Sequence, residues 1–419
     1  MTRHAVQGSD PCSPGPALFY SGVRSQAAER IRGLPQRGAV NIEFSSSPQS
    51  TLGVEWEVAL VDAQTGALVP RAEEILAAVH RADPELGTDG DHPIVTGEFL
   101  SNTVEMVTGV CRTVEEALAQ FEQLLEKIRR VTDPMGVEIH PAGTHPFSRW
   151  QDQAVVEKDR YFTVLDRAQY WGRQMVVFGM HVHIGVDAQD KALPVLDHLL
   201  AHYAHLLALS ANSPYWNGFD TGYASHRAQL FQQLPTAGIP DSFRNWAEFE
   251  HCVSDLLATG VIDDISEYRL DVRPVPKYGT VEMRFCDSPT STRDLGAIVA
   301  LTQCLAEEAS RMIDAGRQVE QMRPWLIREN KWRAARYGLE AIIIRNNSLE
   351  ELLVTDDLAA MLERLQPIAA DLGCVEQLAD VARIVAEGTG STRQREAVAA
   401  HDGDLRAAAL DVVQRARRN

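Results

Sequence analysis

Two imidazoles spaced by one residue, His181 and His183 in Gly179-Met180-His181-Val182-His183-Ile184-Gly185, are the first groups in this chain that could do chemistry. Alternation of polar and apolar residues reads as a half-buried strand, so both histidines share one face while Val182 and Ile184 take the other. Three further stretches repeat the arrangement. In GVEWEV, Glu55 and Glu57 face away from Val54, Trp56 and Val58. In TVEMRF, Glu282 and Arg284 oppose Val281, Met283 and Phe285, and in NTVEMVT, Glu105 stands between Val104 and Met106. If these strands lie in one sheet, one face is apolar and covered by helices, and the other gathers carboxylates, imidazoles and arginine. A plain solvated face would mix Thr, Lys, Ser and Gln, whereas these positions are mainly acidic and hold no lysine. Crowded carboxylates repel one another and need cations. Oxygen donors with an imidazole at one position suit Mg²⁺ or Mn²⁺.

The positive groups point to phosphate. Arg284 alternates into the acidic face, Arg273 precedes it in LDVRPVPKYGT, and NKWRAARYG adds Lys331, Arg333 and Arg336. Arg227 sits in TGYASHRAQLF. Guanidinium groups pair bidentately with phosphate or carboxylate oxygens, although Arg336 alone reads better as a surface ion-pair partner. Arg273, Lys331 and Arg333 are expected to hold a nucleotide. The chain has no Gly-Lys pair and therefore no P-loop, and EGTGSTR lacks the third glycine of a dinucleotide fingerprint. Metals and arginines must then do the holding. Cys286 reads as a packing residue, since no base adjoins it. His198, His202 and His205 share one helical face but lack the glutamate of an HExxH site.

Strands over 51–61, 103–108, 137–141, 175–186 and 280–286 would carry these groups. Thr113 with Glu116 reads as a capping box that opens a helix, and a long helix is expected over 293–315. DKALPVLDHLLAHYAHLLALSANSP forms an apolar helix that stops before Pro214. Residues 212–240, rich in glycine, proline and aromatics, read as a long ordered loop. Strands mixed with helices without regular βαβ alternation give an α+β fold with an antiparallel sheet. Residues 1–50 carry five arginines, no lysine and several prolines, serines and glycines, and read as a disordered extension. Residues 51–345 are expected to form the catalytic domain, with 346–419 as its C-terminal helical part.

A net charge of −18 argues against nucleic acid or an anionic membrane as partner. An anionic substrate would need local arginines or bound cations. Six scattered cysteines without a CxxC pair suit a reduced compartment, and no apolar run approaches a membrane span or a secretory h-region. A cytoplasmic enzyme acting on small molecules is expected, with homo-oligomerisation left open.

Taken together, TLGVEWEVALVD, EFLSNTVEMVTG, AGTHPF, GMHVHIGV, LLALSANSPYWNGFDTGYASHR, PTAGIP, VRPVPKYGTVEMRFCD and RENKWRAARYGLEA resemble the second type of glutamate–cysteine ligase. These are carboxylate–amine ligases related to glutamine synthetase. The family's Trp-Asp before its Arg-Pro turn is here Leu270-Asp271. The resemblance implies a curved antiparallel sheet forming a funnel, with helices on its outer apolar face, ATP entering one end and amino acids the other. It implies metal ligation by Glu55, Glu57, Glu105, His181 and Glu282, with Glu98 added from a loop, and support from His183. Arg284 would contact the transferred phosphoryl group and Arg227 the carboxylate substrate, by resemblance glutamate. The activity implied is ATP-dependent amide formation through an acyl phosphate, with ADP and phosphate released and weak glutamate–cysteine ligase activity. Two other readings are a zinc hydrolase built on the HxH pair and a catalytically inactive nucleotide-binding relative.

Overall fold

Strict alternation makes the longest strand. β1 (Leu52–Asp62) buries Leu52, Val54, Trp56, Val58 and Leu60 on one face and turns Glu55 and Glu57 to the other. The computed structural model describes residues 40–87 and 93–418, and within them β1 is the centre of a seven-stranded sheet. The remaining strands are β2 (Ile94–Gly97), β3 (Thr103–Val107), β4 (Val137–His140), β5 (Gly179–Gly185), β8 (Val272–Val275) and β9 (Thr280–Asp287). A separate small hairpin is made by β6 (Tyr215–Trp216) and β7 (Phe219–Asp220). The sheet order is β2-β3-β1-β5-β9-β8, with β4 also paired to β1, and every pairing is antiparallel. One edge of β1 is divided: residues 52–56 pair with β5 and residues 59–62 with β4.

The apolar face packs on helices. Val54, Trp56, Met106, Val182, Met283 and Phe285 share one core with the helices, and Trp56 meets Phe121 edge-on at 5.6 Å. Fully burying side chains of this size stabilises by roughly 1.5–3 kcal/mol each. The helix Thr292–Asp314 is buried over most of its length, its polar Asp294, Gln303 and Glu307 included, and Ser291 caps it by accepting from Asp294 N. Thr113 likewise accepts from Glu116 N at the start of the helix Val114–Thr132. The C-terminal helices add Leu358, Leu365, Leu378 and Val381 to the same core.

Several elements depart from the sequence reading. The apolar helix before Pro214 is two helices, Gln189–Ala201 and Tyr203–Ser210, bent by 57°. Strands β2 and β8, at four residues each, are too short to show their alternation. Order also reaches back beyond the expected boundary at residue 50. Ile42 is buried with Phe249 and Val253, Phe44 meets Trp246 edge-on, and Ser47 N donates to Val186 O at 3.0 Å. Val40, Ile42 and Phe44 alternate as a strand does, a signal masked by the serine run that follows. Residues 1–39, the rest of the expected extension, lie outside the described residues.

Candidate active site

Strand register brings the polar groups together in rows. Glu57 stands directly opposite Glu105, Glu55 opposite His181, and His183 opposite Glu282, which in turn faces Arg273 on β8. Partners of this kind have Cβ atoms about 4.5–5.5 Å apart, so each pair can share a ligand. His181 Nδ1 lies 2.5 Å from Glu55 Oε2, and His183 Nδ1 lies 2.9 Å from Thr280 Oγ1. His183 Nε2 is 3.4 Å from Glu55 Oε1 and 3.6 Å from Glu282 Oε1. Arg273 Nε donates to Glu282 Oε2 at 2.7 Å, and Arg284 pairs with the other Glu282 oxygen.

The ladder breaks beside Arg284. Met180 pairs with Cys286 and Val182 with Met283, so His181 alone faces both Arg284 and Phe285. This is a β-bulge, which bends the strand and re-aims side chains. Beyond it the alternation shifts by one: Phe285 and Cys286 are both in the core, with Cys286 Sγ 3.6 Å from Leu206 O. Cys286 therefore faces away from the site.

The electrostatics divide the acids into two kinds. Burial pushes Glu57 up to about 7, with Glu98 adding to the rise and the Arg227 charge opposing it. Glu105 is held well above the ordinary range by burial and by Glu55, Glu98 and Glu57. Burial would raise Glu55 and Glu282 too, but their partners prevail. Hydrogen bonds from His181 and His183 hold Glu55 well below its usual value, and Arg284, His183 and Arg273 bring Glu282 down to about 2. His181 is pulled to about 4 by burial and the Arg284 charge.

Among the described residues two donor groups converge, each with its ligand atoms within 4.8 Å: Glu55, Glu105 and His181, and Glu55, His183 and Glu282. Carboxylate oxygens with one imidazole apiece fit a hard divalent cation. Glu57, half-buried, and Glu105, buried opposite it, are acids that such a cation would let ionise. The two imidazoles belong to different groups, so His183 is as well placed a donor as His181. Neither group is the two-histidine set that a zinc hydrolase reading of HxH needs.

Two cavities meet at Glu55, which lines both. One, of about 440 Å³, is lined by Glu57, Glu98, Glu105, His181, Arg227 and Arg284 among others. The other, of about 630 Å³, is bounded by His183, Val110, Tyr278, Lys277 and Ser45–Ser47. Arg227 is only 2% exposed, its Nη2 donates to Arg284 O at 3.3 Å, and no carboxylate lies at ion-pair distance among the described residues. Its Nε has no partner among them. A buried guanidinium left this way is an anion site in waiting. The guanidinium crosses directly over Gly179, where any Cβ would collide with it. Its backbone is pinned by Ser213 Oγ, which donates at 2.7 Å to Asp287; Asp287 also accepts from Ser225 Oγ and Asn212 N.

Sequence reasoning missed Arg160, Tyr161 and Arg269 in the first cavity, because the helix Asp159–Arg173 and the turn before β8 carry no motif. Lys331 and Arg333 line neither cavity. Lys331 is buried behind the sheet against Asp271 at 2.7 Å, and Arg333 pairs with Glu329 and Glu351. Their charge told only that they suit an anion, not which side of the sheet their helix, Pro324–Tyr337, covers. His198 and His205 bind Glu308 and Asp357 separately, as packing residues do.

A sheet with acids, imidazoles and arginines on one face opens on two joined cavities, and the match to a family profile gives its class: an ATP-dependent carboxylate–amine ligase. The chain belongs to Glutamate-cysteine ligase family 2 (GCS2), whose profile matches residues 51–411. It is 56% identical over 378 residues to a protein of Arthrobacter sp. (strain FB24) provisionally named glutamate–cysteine ligase 2-1, covering 90% of this chain and 99% of that one. It is 48% identical over 372 residues to a protein of Mycobacterium tuberculosis (strain ATCC 25177 / H37Ra) provisionally named glutamate–cysteine ligase 2, covering 89% and 96%. The fold is shared with glutamate–cysteine ligase of Francisella tularensis, solved with AMP, at a TM-score of 0.61, 15% identity and 89% coverage of both chains. A bifunctional glutathione synthetase of Pasteurella multocida matches at a TM-score of 0.60 and 17% identity, over 88% of this chain and 51% of that one.

Proposed function

We propose that this protein joins the γ-carboxylate of glutamate to an amine, cysteine being the acceptor its relatives' names suggest, through an acyl phosphate made at the expense of ATP. The observation that carries the reading is the junction of two cavities at Glu55. The larger cavity, with Lys277 and the apolar side chains of Val110 and Tyr278, suits a nucleotide. The smaller, with the unpaired Arg227, suits an amino-acid carboxylate. Glu55, Glu57, Glu98, Glu105, His181 and Glu282 would hold Mg²⁺ or Mn²⁺, with His183 joining them. Bound there, the cation supplies charge neutralisation for the polyphosphate.

The chain's own groups account for the rest. Arg227 holds the acid, and Arg284 meets the phosphoryl oxygens as negative charge redistributes. A carboxylate oxygen attacks the γ-phosphorus, the bond to ADP breaks, and the amine nitrogen then displaces phosphate from the acyl carbon with net loss of one proton. An acyl phosphate there must be kept from water until the amine reaches it.

The test is ADP release across a panel of acid and amine pairs, with ¹⁸O-labelled carboxylate. Label appearing in inorganic phosphate supports the acyl-phosphate route. Amide formation without that transfer would exclude it, and ATP-independent hydrolysis with one tight zinc would exclude the ligase reading.

A further inference from the structure

Lys331 stands behind the sheet, yet it is connected to the site. It is 5% exposed on the helix Pro324–Tyr337, and its Nζ lies 2.7 Å from Asp271 Oδ2. The same oxygen accepts from Tyr203 Oη at 3.1 Å. Asp271 is 1% exposed, and its backbone is fixed at both ends. Its N–H donates to Gly238 O at 2.8 Å, and its carbonyl accepts from Arg284 N at 2.9 Å.

That last bond falls on the bulge. Arg284 and Phe285 are the two residues that oppose His181. The Phe285 ring is stacked on Tyr203 at 3.7 Å and 15°, and Lys331 Nζ is 5.7 Å from the Tyr203 ring centroid. Lys331, Tyr203 and Asp271 therefore clasp both bulge residues, Arg284 by its backbone and Phe285 by its ring. Stability alone does not call for a buried ion pair here, since well-packed apolar residues often do as well. The best-attested use of such a pair is to fix one arrangement among several. A bulge, where the strand could slip by one residue, is a place that needs fixing.

We propose that Lys331 and Asp271 are positioning residues that set the aim of Arg284 from the opposite side of the sheet. The inference rests on the reading of Arg284 as the contact to the transferred phosphoryl group. Misplacement of a reacting group by about 1 Å can cost on the order of a hundredfold in rate.

The test is a double-mutant cycle on the full chain, with steady-state ADP release as readout. One change replaces the pair, Lys331→Met with Asp271→Asn, so that no buried charge is stranded. The other is Arg284→Lys. The pair change is expected to lower kcat by about ten- to a hundredfold, with KM for ATP and the Mg²⁺ requirement within about twofold. In the Arg284→Lys background the same change is expected to cost less than about threefold, because there is no longer a guanidinium to aim. Should the pair variant not fold, Asp271→Asn alone, nearly isosteric and still able to accept from Lys331, is expected to show the same dependence on residue 284 with a severalfold loss. Equal losses in both backgrounds overturn the proposal, as does unchanged kcat. Intact turnover in Arg284→Lys alone overturns both this proposal and the reading of Arg284. Loss there with additive behaviour overturns only this one.

Discussion

Glu57 and Glu105 face one another across β1 and β3, the first half-buried and the second buried, and both are raised above the ordinary carboxylate range. Glu57 Oε2 accepts one bond, from Gly179 N at 2.6 Å, and no cationic side chain lies at ion-pair distance among the described residues. Two acids in that relationship share poorly in the absence of a cation and well in its presence.

Glu57→Gln keeps the shape and the bond to Gly179 while removing one charge. The metal-free protein is expected to melt no lower than the parent. Turnover should fall strongly, and the Mg²⁺ concentration for half-maximal activity should rise. Titrating Mg²⁺ against ADP release and against melting temperature checks both halves. Parental activity at limiting Mg²⁺ would remove Glu57 from the cation's ligands.

A pH dependence of stability follows from a second buried pair, His140 and His145, whose rings are 5.1 Å apart. Burial holds His140 well below its ordinary value and brings His145 to about 4. Unfolded, both would titrate near 6.5, so between pH 6.5 and 4 the unfolded chain binds more protons than the folded one. The contribution of this pair is therefore complete above pH 6.5 and is lost as pH falls, by about 3 kcal/mol for His145 across that window. His145→Gln should flatten the slope of unfolding free energy against pH in that range. Denaturant melts that give parallel slopes for parent and variant would refute the assignment.

The segment before β1 gives a prediction that separates two truncations. Removing residues 1–39 is expected to leave turnover and melting temperature nearly unchanged, since that stretch lacks periodic apolar residues. Removing residues 1–50 also takes away Ile42, Phe44 and the hydroxyl of Ser50, which donates to Glu307 at 2.6 Å. About 3 kcal/mol or more of apolar burial goes with it. Ser45, Ser46 and Ser47 line the larger cavity, so KM for ATP should rise as well. Equal behaviour of the two truncations would show that residues 40–50 contribute nothing to the fold.

Legibility in the sequence followed the physics of alternation. The acidic face was readable at Glu55, Glu57, Glu105, His181 and Glu282 because period-two spacing fixes the face of each residue once the strand is recognised. Spacing alone does not show where the period breaks. The bulge at Arg284 sends Cys286 to the core side, and nothing in TVEMRFCD marks the extra residue. Lys331 and Arg333 were placed by charge alone, but charge does not say on which side of a sheet a helix packs. Asp271 and Asp287 were unreadable for another reason: each works through partners 60 or more residues away, Lys331 and Ser213, and no local pattern encodes such contacts.

Arg284 offers the sharpest prediction, because one substitution separates three roles. Alternation from Glu282 puts it on the polar face beside the bulge, where it pairs with Glu282 and its Nε has no partner among the described residues. A guanidinium so placed has donor capacity left for phosphoryl oxygens, and its charge is felt most as negative charge redistributes during transfer. Removing a donor of this kind typically costs about 2.7–4 kcal/mol, or roughly a hundred- to thousandfold in kcat. Arg284→Lys keeps the charge but loses the planar fork, so most of that loss is expected. KM for ATP and the Mg²⁺ requirement should change far less, since Glu55, Glu57, Glu105 and His183 are untouched. A variant that keeps kcat and loses only ATP affinity would make Arg284 a ground-state binder. A variant that loses its fold would make it a structural partner of Glu282, whose buried carboxylate would then have Arg273 as its one cationic partner within 3 Å among the described residues.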